Sequence, residues 1–171
     1  MMVQALRIAI RPERPGDLPA IARVHHAAFP TSLEADLVDA LREAGDPTAS
    51  LVALGARGIV GHIAFSGAEI VGANGATKVA WLAPLAVYPE YQRQGTGSAL
   101  VETGIEACKA KNLDAVVVVG APGLYGRFGF SQESASALRS RWSGSHLLAL
   151  PLGAQALAGT LTEPDAFSSL A

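Results

Sequence analysis

The sequence predicts a mixed α/β (α+β) domain in which helices cover both faces of a central sheet. Two observations indicate this class. Strand-like and helix-like segments alternate only in the second half of the chain, whereas strand-like segments follow one another directly in the middle. In addition, Asp114–Val119 is a continuous run dominated by valine, which is characteristic of a strand that is covered on both faces.

The first half of the chain is predicted to contain a strand, two helices and a hairpin. Asp17 is placed to cap the first helix, and Thr31 or Ser32 to cap the second. Two apolar runs joined by a short polar break indicate the hairpin. The predicted elements are a strand at Leu6–Arg11, helices at Leu18–Phe29 and from residue 33 to about 44, hairpin strands at Ser50–Gly55 and Gly58–Phe65, and a surface loop at Val71–Thr77.

The second half begins with a strand that contains a proline. Because Pro84 cannot donate a hydrogen bond to a ladder, it marks an edge, a bulge or a place where strands part. After Gly153 the chain is rich in Ala, Ser and Thr, which predicts a loosely packed or extended tail. We therefore divide the chain into a domain (1–152) and a C-terminal tail (153–171). The predicted elements are strands at Val79–Val87, at Asp114–Val119, from Phe130 and at His146–Leu152, and helices at Gly95–Lys111 and Ala121–Phe128.

The composition excludes several classes of function. The formal net charge is -2 and no Lys/Arg run occurs, which argues against nucleic acid as the main partner. The single cysteine, Cys108, cannot form an intrachain disulfide or a cysteine-based zinc site, and the four histidines lack metal-ligand spacing. No apolar stretch reaches the length of a membrane span. We therefore expect a cytoplasmic protein without a metal centre.

A polar segment with two glycines links the proline-containing strand to the clearest predicted helix. The N–H groups at a helix N-terminus carry partial positive charge, and glycines let an anion approach the backbone. The segment therefore suits a pyrophosphate, although two glycines can also serve only to turn the chain into the helix. The P-loop and dinucleotide-binding patterns are both absent. The residues that can supply amides or side-chain donors are Gln92, Arg93, Gln94, Gly95, Thr96, Gly97 and Ser98.

The same segment resembles a motif of a known family. Residues 92–97, QRQGTG, resemble the Gln/Arg-x-x-Gly-x-Gly/Ala signature of the GCN5-related N-acetyltransferase (GNAT) superfamily. Residues 125–130, YGRFGF, look like the second landmark of that family, Tyr-x-x-x-Gly-Phe. The runs GHIAF, LAPLAV and GRFGF are similar to a bacterial subgroup of predicted acetyltransferases. The resemblance spans about residues 5 to 151.

The resemblance implies an acetyl-CoA-dependent enzyme with a mostly antiparallel sheet, in which acetyl-CoA lies where the fourth and fifth strands splay apart. It implies that the backbone N–H of Leu85 polarises the thioester carbonyl. It also implies that the backbone of Val87, next to Ala86, pairs with the pantetheine arm. Tyr125 matches the family position that protonates the leaving sulfur, and Phe128 would pack against the cofactor. The alternative for Tyr125 is packing alone.

The resemblance further implies that a primary amine, on a small molecule or a peptide, attacks the thioester directly. The general base stays open, because the fourth strand contains no acid or histidine. Glu34 and His62 are the candidates, with an exposed, solvated carboxylate as the alternative for Glu34 and a satisfied structural histidine as the alternative for His62. An amine that is already deprotonated needs neither. Phe29, Trp81 and Trp142 can line an acceptor pocket, with ordinary core packing as the alternative for each.

Two classes of function are therefore compared. The first is an N-acetyltransferase, and the second is a non-catalytic sensor module that binds acetyl-CoA or CoA. The missing acid on the fourth strand favours the sensor, whereas the retained Tyr125 favours the enzyme. A homodimer is common in this fold, although no interface can be identified from the sequence.

Overall fold

An eight-stranded mixed sheet lies at the centre of the computed structural model, which describes residues 8–170. The strands are β1 Ala9–Pro12, β2 Pro47–Gly55, β3 Gly58–Gly72, β4 Gly75–Val87, β5 Ala115–Val119, β6 Leu138–Arg139, β7 Leu147–Pro151 and β8 Gly159–Leu161. The helices are α1 Leu18–Ala28, α2 Leu33–Glu43, α3 Thr96–Ala110, α4 Pro122–Tyr125 and α5 Gln132–Ala135. The main path is β1-β2-β3-β4-β5-β7, antiparallel except for the parallel pair β4–β5. The predicted fold class is confirmed.

The β3–β4 hairpin is longer than predicted. Its ladder continues to the pair Gly72–Gly75, so the surface loop predicted at Val71–Thr77 is wrong. Small residues suggested a loop, but the backbone pairs regularly there. The far half of β3 is also supported on its other side, because Ile70 and Val71 pair with β8.

The N-terminal helices lie where they are predicted, but the first is not capped as expected. The Asp17 carboxylate accepts hydrogen bonds from the Arg11 guanidinium at 2.6 and 3.0 Å and from the Arg14 amide at 2.7 Å. It therefore ties β1 to the turn before α1 instead of capping that helix. The predicted first strand lies partly outside the described residues, and β1 begins at Ala9.

Helix α3 covers one face of the sheet with the predicted apolar stripe. Val101, Ile105 and Cys108 are buried in the larger of the two main core clusters. Gly104 allows the closest approach, since a Cβ there would lie 2.0 Å from Cε2 of Phe65 on β3. Burial raises the pKa of the Cys108 thiol to about 11, which keeps it an inert core group.

Helices α1 and α2 cover the opposite face, together with the C-terminal segment. The segment after Gly153, predicted to pack loosely, contributes β8 and Phe167, which is 2% exposed. Phe167 lies edge-on to Trp81 with ring centroids 5.6 Å apart. The indole N–H of Trp81 donates to the carbonyl of Thr162 at 2.9 Å. The segment has only weak hydrophobic periodicity because its few apolar residues insert into the core one at a time. The sequence pattern therefore did not predict this packing.

The region after α4 differs from the predicted strand at Phe130. Only one bridge forms there, between Ser131 and Ala149, and the chain then enters α5. The Ser131 hydroxyl accepts from the Ser134 amide at 3.1 Å and so caps this helix. The strand predicted at His146–Leu152 is present as β7.

The two central strands separate as predicted. The β4–β5 ladder covers Val79–Trp81 and Ala115–Val117 and stops there, while β4 continues to Val87 paired with β3 alone. The register of β4 against β3 shifts around Pro84, which places the proline in a bulge. Beyond Trp81, the β5 side of β4 therefore has no strand partner in the described part of the chain.

Candidate active site

A cleft of about 610 Å³ opens at this splay, between the end of β4, the start of α3 and the α4 turn. We call it the β4–α3 cleft. Its volume lies within the usual range for small-molecule sites. It is lined by Leu85, Val87, Gln92, Arg93, Gly95, Gly97, Ser98, Leu124 and Arg127.

The backbone of β4 presents polar groups to this cleft. In an antiparallel ladder, alternate residues direct both N–H and C=O toward the same neighbour. Tyr88 donates its N–H to Val60 on β3 at 2.9 Å, so Ala86 also faces β3, and Leu85 and Val87 face away from it. The Val87 carbonyl accordingly accepts from Nε2 of Gln92 at 3.0 Å instead of from β3.

Unpaired amides form the other end of the cleft. Within residues 8–170, no amide from 93 to 98 donates to a backbone or side-chain acceptor. Arg93 has φ +62° and Gly95 has φ +87°, and left-handed residues within such a turn curve successive N–H groups toward one point. Gly95 is suited to this conformation, and a Cβ at Gly97 would have its nearest contact 3.9 Å away. The guanidinium groups of Arg93 and Arg127 add positive charge.

Three predicted binding side chains in this segment have other roles. Thr96 is 1% exposed, and its hydroxyl lies 3.5 Å from the carbonyl of Tyr91, so only its amide remains for an anion. Gln94 donates to the carbonyl of Glu90 at 3.0 Å and lines a different cleft. Gln92 donates one side-chain N–H to the carbonyl of Val87 on β4. The anion site is therefore built mainly from backbone.

Tyr125 lies behind the cleft rather than in its lining. It is 8% exposed, its ring meets Phe130 edge-on at 5.8 Å, and burial raises the pKa of its phenol. A Cβ at Gly120 would lie 2.4 Å from the Tyr125 ring, so the ring can occupy this position only because residue 120 has no side chain. Phe128 is half-buried beneath the Arg127 guanidinium, 5.0 Å from the ring centroid.

Two lining residues were not predicted, Leu124 and Arg127. A helical turn puts residues three apart on one side, so Leu124 and Arg127 face the cleft while Tyr125 and Phe128 pack inward. The three-residue spacing could have identified Leu124 and Arg127 from the sequence. No sequence feature could have identified Gly120, because its importance depends on where the Tyr125 ring lies.

The side chains predicted for the acceptor site lie in different surroundings. Trp81 is 2% exposed, so the structure places it in the core rather than in a pocket wall. Trp142 is half-buried and donates to Glu163 at 2.6 Å. Phe29 is half-buried and stacks on His25 with centroids 6.1 Å apart. Glu34 is half-buried, and its Oε2 is enclosed without a hydrogen-bond partner.

His62 belongs to a chain of polar groups that runs from two buried histidines to three partly exposed residues. We call it the histidine network: His25, His62, Ser50, Glu13 and Arg42. His62 Nδ1 lies 2.9 Å from His25 Nε2, and its Nε2 lies 2.7 Å from the Ser50 hydroxyl. The same hydroxyl donates to Glu13. Arg42 binds the Glu13 carboxylate through two nitrogens, at 2.9 and 3.2 Å. Both nitrogens of His62 are thus satisfied.

The charges in this network follow from burial and pairing. Burial alone would raise the pKa of Glu13, but the His62 ring, whose Nε2 lies 3.6 Å from the carboxylate, and the hydrogen bonds from Arg42 and Ser50 outweigh burial and lower that pKa to about 2. Burial lowers the pKa of His25 to about 3, with repulsion from His62 adding to it. Burial also lowers the pKa of His62. At neutral pH the network holds an ionised carboxylate and two neutral imidazoles.

Comparison with known proteins identifies the family. A family model described as an acetyltransferase (GNAT) domain matches residues 9–132, which is most of the chain. This chain is a member of the GNAT family. Its GNAT domain is 39% identical over 139 residues to the uncharacterized N-acetyltransferase YhbS of Escherichia coli K12, covering 80% of this chain and 81% of that protein. The identity to YjhQ of the same organism is 41% over 116 residues, covering 67% and 64%.

Solved GNAT structures share the fold. The crystal structure of Escherichia coli YhbS in complex with CoA superposes with a TM-score of 0.90 at 35% identity, covering 100% of this chain and 97% of that one. A GNAT acetyltransferase from Brucella melitensis in complex with acetyl-CoA gives 0.79 at 32% identity, covering 94% and 98%. The recognition of a bacterial GNAT acetyltransferase from the sequence is confirmed.

This GNAT domain lacks two further features within the part of the chain that the structure describes. Between residues 8 and 170, no helix is both long and apolar enough to span a bilayer. No cluster of three potential metal ligands occurs in the same part of the chain.

Proposed function

We propose that this GNAT protein transfers an acetyl group from acetyl-CoA to a primary amine, on a small molecule or a peptide. The observation that carries the proposal is the end of the β4–β5 ladder at Trp81. It leaves the backbone of Leu85 and Val87 facing a cleft that ends at unpaired amides. An extended amide-containing arm and a pyrophosphate have the matching chemistry.

The residues fit this substrate in detail. Leu85 and Val87, whose backbone groups face away from β3, can pair with the pantetheine amides as a strand would, whereas the predicted contact by Ala86 is replaced by its pairing with β3. The amides of residues 93–98 can bind the pyrophosphate. Arg93 and Arg127 can offset its charge. The complexes of the two similar GNAT structures with CoA and acetyl-CoA support this assignment.

We infer that the transfer is direct. A neutral amine attacks the thioester carbonyl and a C–N bond forms. The nitrogen, cationic after the attack, gives up one proton to water, and the C–S bond then breaks and releases the CoA thiolate. The Leu85 N–H donates to the developing oxyanion, a contribution of about 3 kcal/mol for one such donor. Tyr125 is protonated at neutral pH, since a phenol has an ordinary pKa of about 10 and burial raises the pKa of this one further, so it has a proton to give to the leaving thiolate.

Calorimetric titration with acetyl-CoA tests the proposal, with CoA, ATP and NAD as controls. We expect saturable binding of acetyl-CoA and CoA only, followed by thiol release in a screen of primary amines. Binding without thiol release for any amine would favour the sensor alternative. Failure to bind acetyl-CoA and CoA would contradict both. The cytoplasmic location and the homodimer stay predictions.

A further inference from the structure

The two stretches of chain that border the splay contain no charged side chain. Residues 79–87 on β4 read VAWLAPLAV, and residues 115–124 on β5 and the turn after it read AVVVVGAPGL. Only the Trp81 indole in these stretches has a side-chain group that forms hydrogen bonds, and its N–H already donates to the carbonyl of Thr162. On both sides of the gap the chain therefore presents apolar side chains and backbone groups only.

Val119 lies on the β5 side of this gap. The parallel β4–β5 ladder ends at the pair Trp81–Val117. Two further residues along each strand bring Ala83 on β4 level with Val119 on β5. Leu85, whose N–H acts in the proposed reaction, follows Ala83 by two residues. The register thus places Val119 across the gap from the thioester site.

The Val119 side chain projects on the face of the sheet opposite to α3. Side chains alternate along a strand, so Val119 shares its face with Val117, which belongs to the core cluster covered by α2 and the C-terminal segment. Val117 is fully buried, and Leu147, the β7 partner of Val119, is 1% exposed. Val119 itself is 42% exposed. Because the β7 side is covered, the open side of Val119 is the one that borders the gap.

This face gives an amine access to the thioester. Leu85 packs against the core cluster under α3, and the β4–α3 cleft, which would hold the pantetheine arm, lies on that side of the sheet. The other face remains for the attacking amine. There Ala83 is half-buried and Val119 is exposed. The carbon atoms next to the amine nitrogen would contact these two apolar side chains.

The charges of the cleft disfavour a second cationic group on the acceptor. The charged residues that line the β4–α3 cleft are Arg93 and Arg127, and no carboxylate is among its described lining residues. A second ammonium group would therefore meet like charge without a counter-charge. Apolar surroundings also favour the neutral form of the attacking amine, which is the reactive form. Such a site selects that form without an acid or a histidine on β4.

We propose that the acceptor is a primary amine with an uncharged, apolar carbon chain, and that Val119, together with Ala83, determines this specificity. This inference rests on the proposed function, since it names the substrate class of the same site. The carbon chain would lie against the open side of Val119 while the nitrogen reaches the thioester carbonyl beside Leu85. Each methylene buried there should raise kcat/KM about fourfold.

Amines of similar size and different charge test the substrate class by thiol release. We expect kcat/KM to rise about fourfold per methylene from n-propylamine to n-pentylamine. The KM for n-hexylamine should be at least about tenfold lower than the KM for 1,5-diaminopentane or 4-aminobutanoate. Preference for either charged amine would overturn the inference. Preference for 1,5-diaminopentane would also indicate that a carboxylate, such as Glu34 on α2, faces the gap.

Val119→Thr tests the residue, because threonine keeps the branched shape of valine and adds a hydroxyl group. The KM for n-hexylamine should rise about three- to tenfold at an unchanged kcat. The calorimetric Kd of n-hexylamine for the CoA-bound protein should rise equally, while the Kd for acetyl-CoA stays the same. Val71→Thr is the matched control, since Val71 is 45% exposed at the far end of β3.

Equal effects of the two valine variants, or no effect of Val119→Thr, would overturn the role of Val119. The calorimetric titration decides the inference without turnover, because absent binding of n-hexylamine to the CoA-bound protein would contradict an apolar acceptor site. Failure of the proposed function would appear separately, as absent binding of acetyl-CoA and CoA.

Discussion

The β4–α3 cleft and the histidine network lie on opposite sides of β4 and are built in different ways. The cleft presents mainly backbone groups, the edge of β4 and the amides of residues 93–98. The network consists of side chains from residues distant in sequence. A backbone site depends on local conformation, which a short motif can encode, whereas a side-chain network depends on how strands and helices are assembled. Variants of the cleft should therefore alter binding or turnover, and variants of the network should alter stability and pH dependence.

The largest effect is expected from Tyr125→Phe. This variant tests whether a side chain that lies behind the lining of the cleft takes part in the reaction. Loss of the proton donor should lower the rate of thiol release about a hundredfold. The Kd for acetyl-CoA should change little, because Tyr125 does not line the cleft. Calorimetry and the thiol-release assay measure the two quantities. Tyr91→Phe, in a different cleft, is the control. Weaker binding at an unchanged rate would contradict the acid role.

The second-largest effect is expected in acid unfolding, and it should depend on the network rather than on the cleft. His25 has a pKa of about 3 in the folded protein against 6.5 as its ordinary value, so the unfolded chain binds the proton first. The free energy of unfolding should therefore be unaffected above pH 6.5 and fall below it, by up to about 1.4 kcal/mol per pH unit. His62 lies within hydrogen-bond distance of His25, and positive charge on His62, His26 or Arg42 would lower the pKa of His25 further.

Urea titrations between pH 7.5 and 4.5 measure this slope. His25→Gln should reduce it and leave the part that His62, whose pKa burial also lowers, contributes, whereas His26→Gln should retain it in full. Glu13, whose pKa falls from 4.5 to about 2, adds a loss of stability only below about pH 4.5. An equal slope in the two histidine variants would show that another group causes the acid sensitivity.

Gly120→Ala should have a moderate effect on stability and on activity. It tests whether packing around Tyr125 affects the reaction in the cleft. The new Cβ would lie 2.4 Å from the Tyr125 ring, so the ring must move, at a cost of about 1–3 kcal/mol in unfolding free energy. Thermal unfolding measures the loss, and thiol release should fall with it. A Cβ at Gly123 meets nothing within 4 Å, so Gly123→Ala is the matched control. Equal stability of the two variants would contradict the packing argument.

Arg127→Ala should have the smallest effect. Removing one exposed guanidinium from the cleft should weaken acetyl-CoA binding about tenfold, or about 1.4 kcal/mol, and less at high salt. Calorimetry at two ionic strengths checks it. Arg57→Ala, in a different cleft, should leave the affinity unchanged. An effect independent of salt would indicate that Arg127 contributes by packing, for example on Phe128.

The predictable part of this molecule is the part that local sequence controls. The bulge at Pro84, the apolar stripe of α3 and the polar segment before it could all be identified from spacing and residue type. The network could not, because it depends on register. Val52 pairs with His62, which puts Ser50 diagonally beside it, and Glu13 reaches Ser50 only because β1 runs alongside β2.

The packing of the C-terminal segment into the core could not be predicted for a related reason. Its contacts join residues far apart in sequence, such as Ile70 with Leu161 and Trp81 with Phe167. No periodicity within the segment reflects a partner ninety or so residues away. Such contacts follow from the sheet order, which becomes known only when the fold is assembled.

That sheet order also determines when the protein can finish folding as it leaves the ribosome. Trp81 has its final neighbours only after Phe167 has been synthesised, because β8 and the turn after it close that side of the sheet. At about 5–20 residues per second, the interval is on the order of 4–17 seconds. Throughout it, an apolar sheet face that includes a tryptophan is open to other nascent chains, so yield in cells should depend on chaperone capacity.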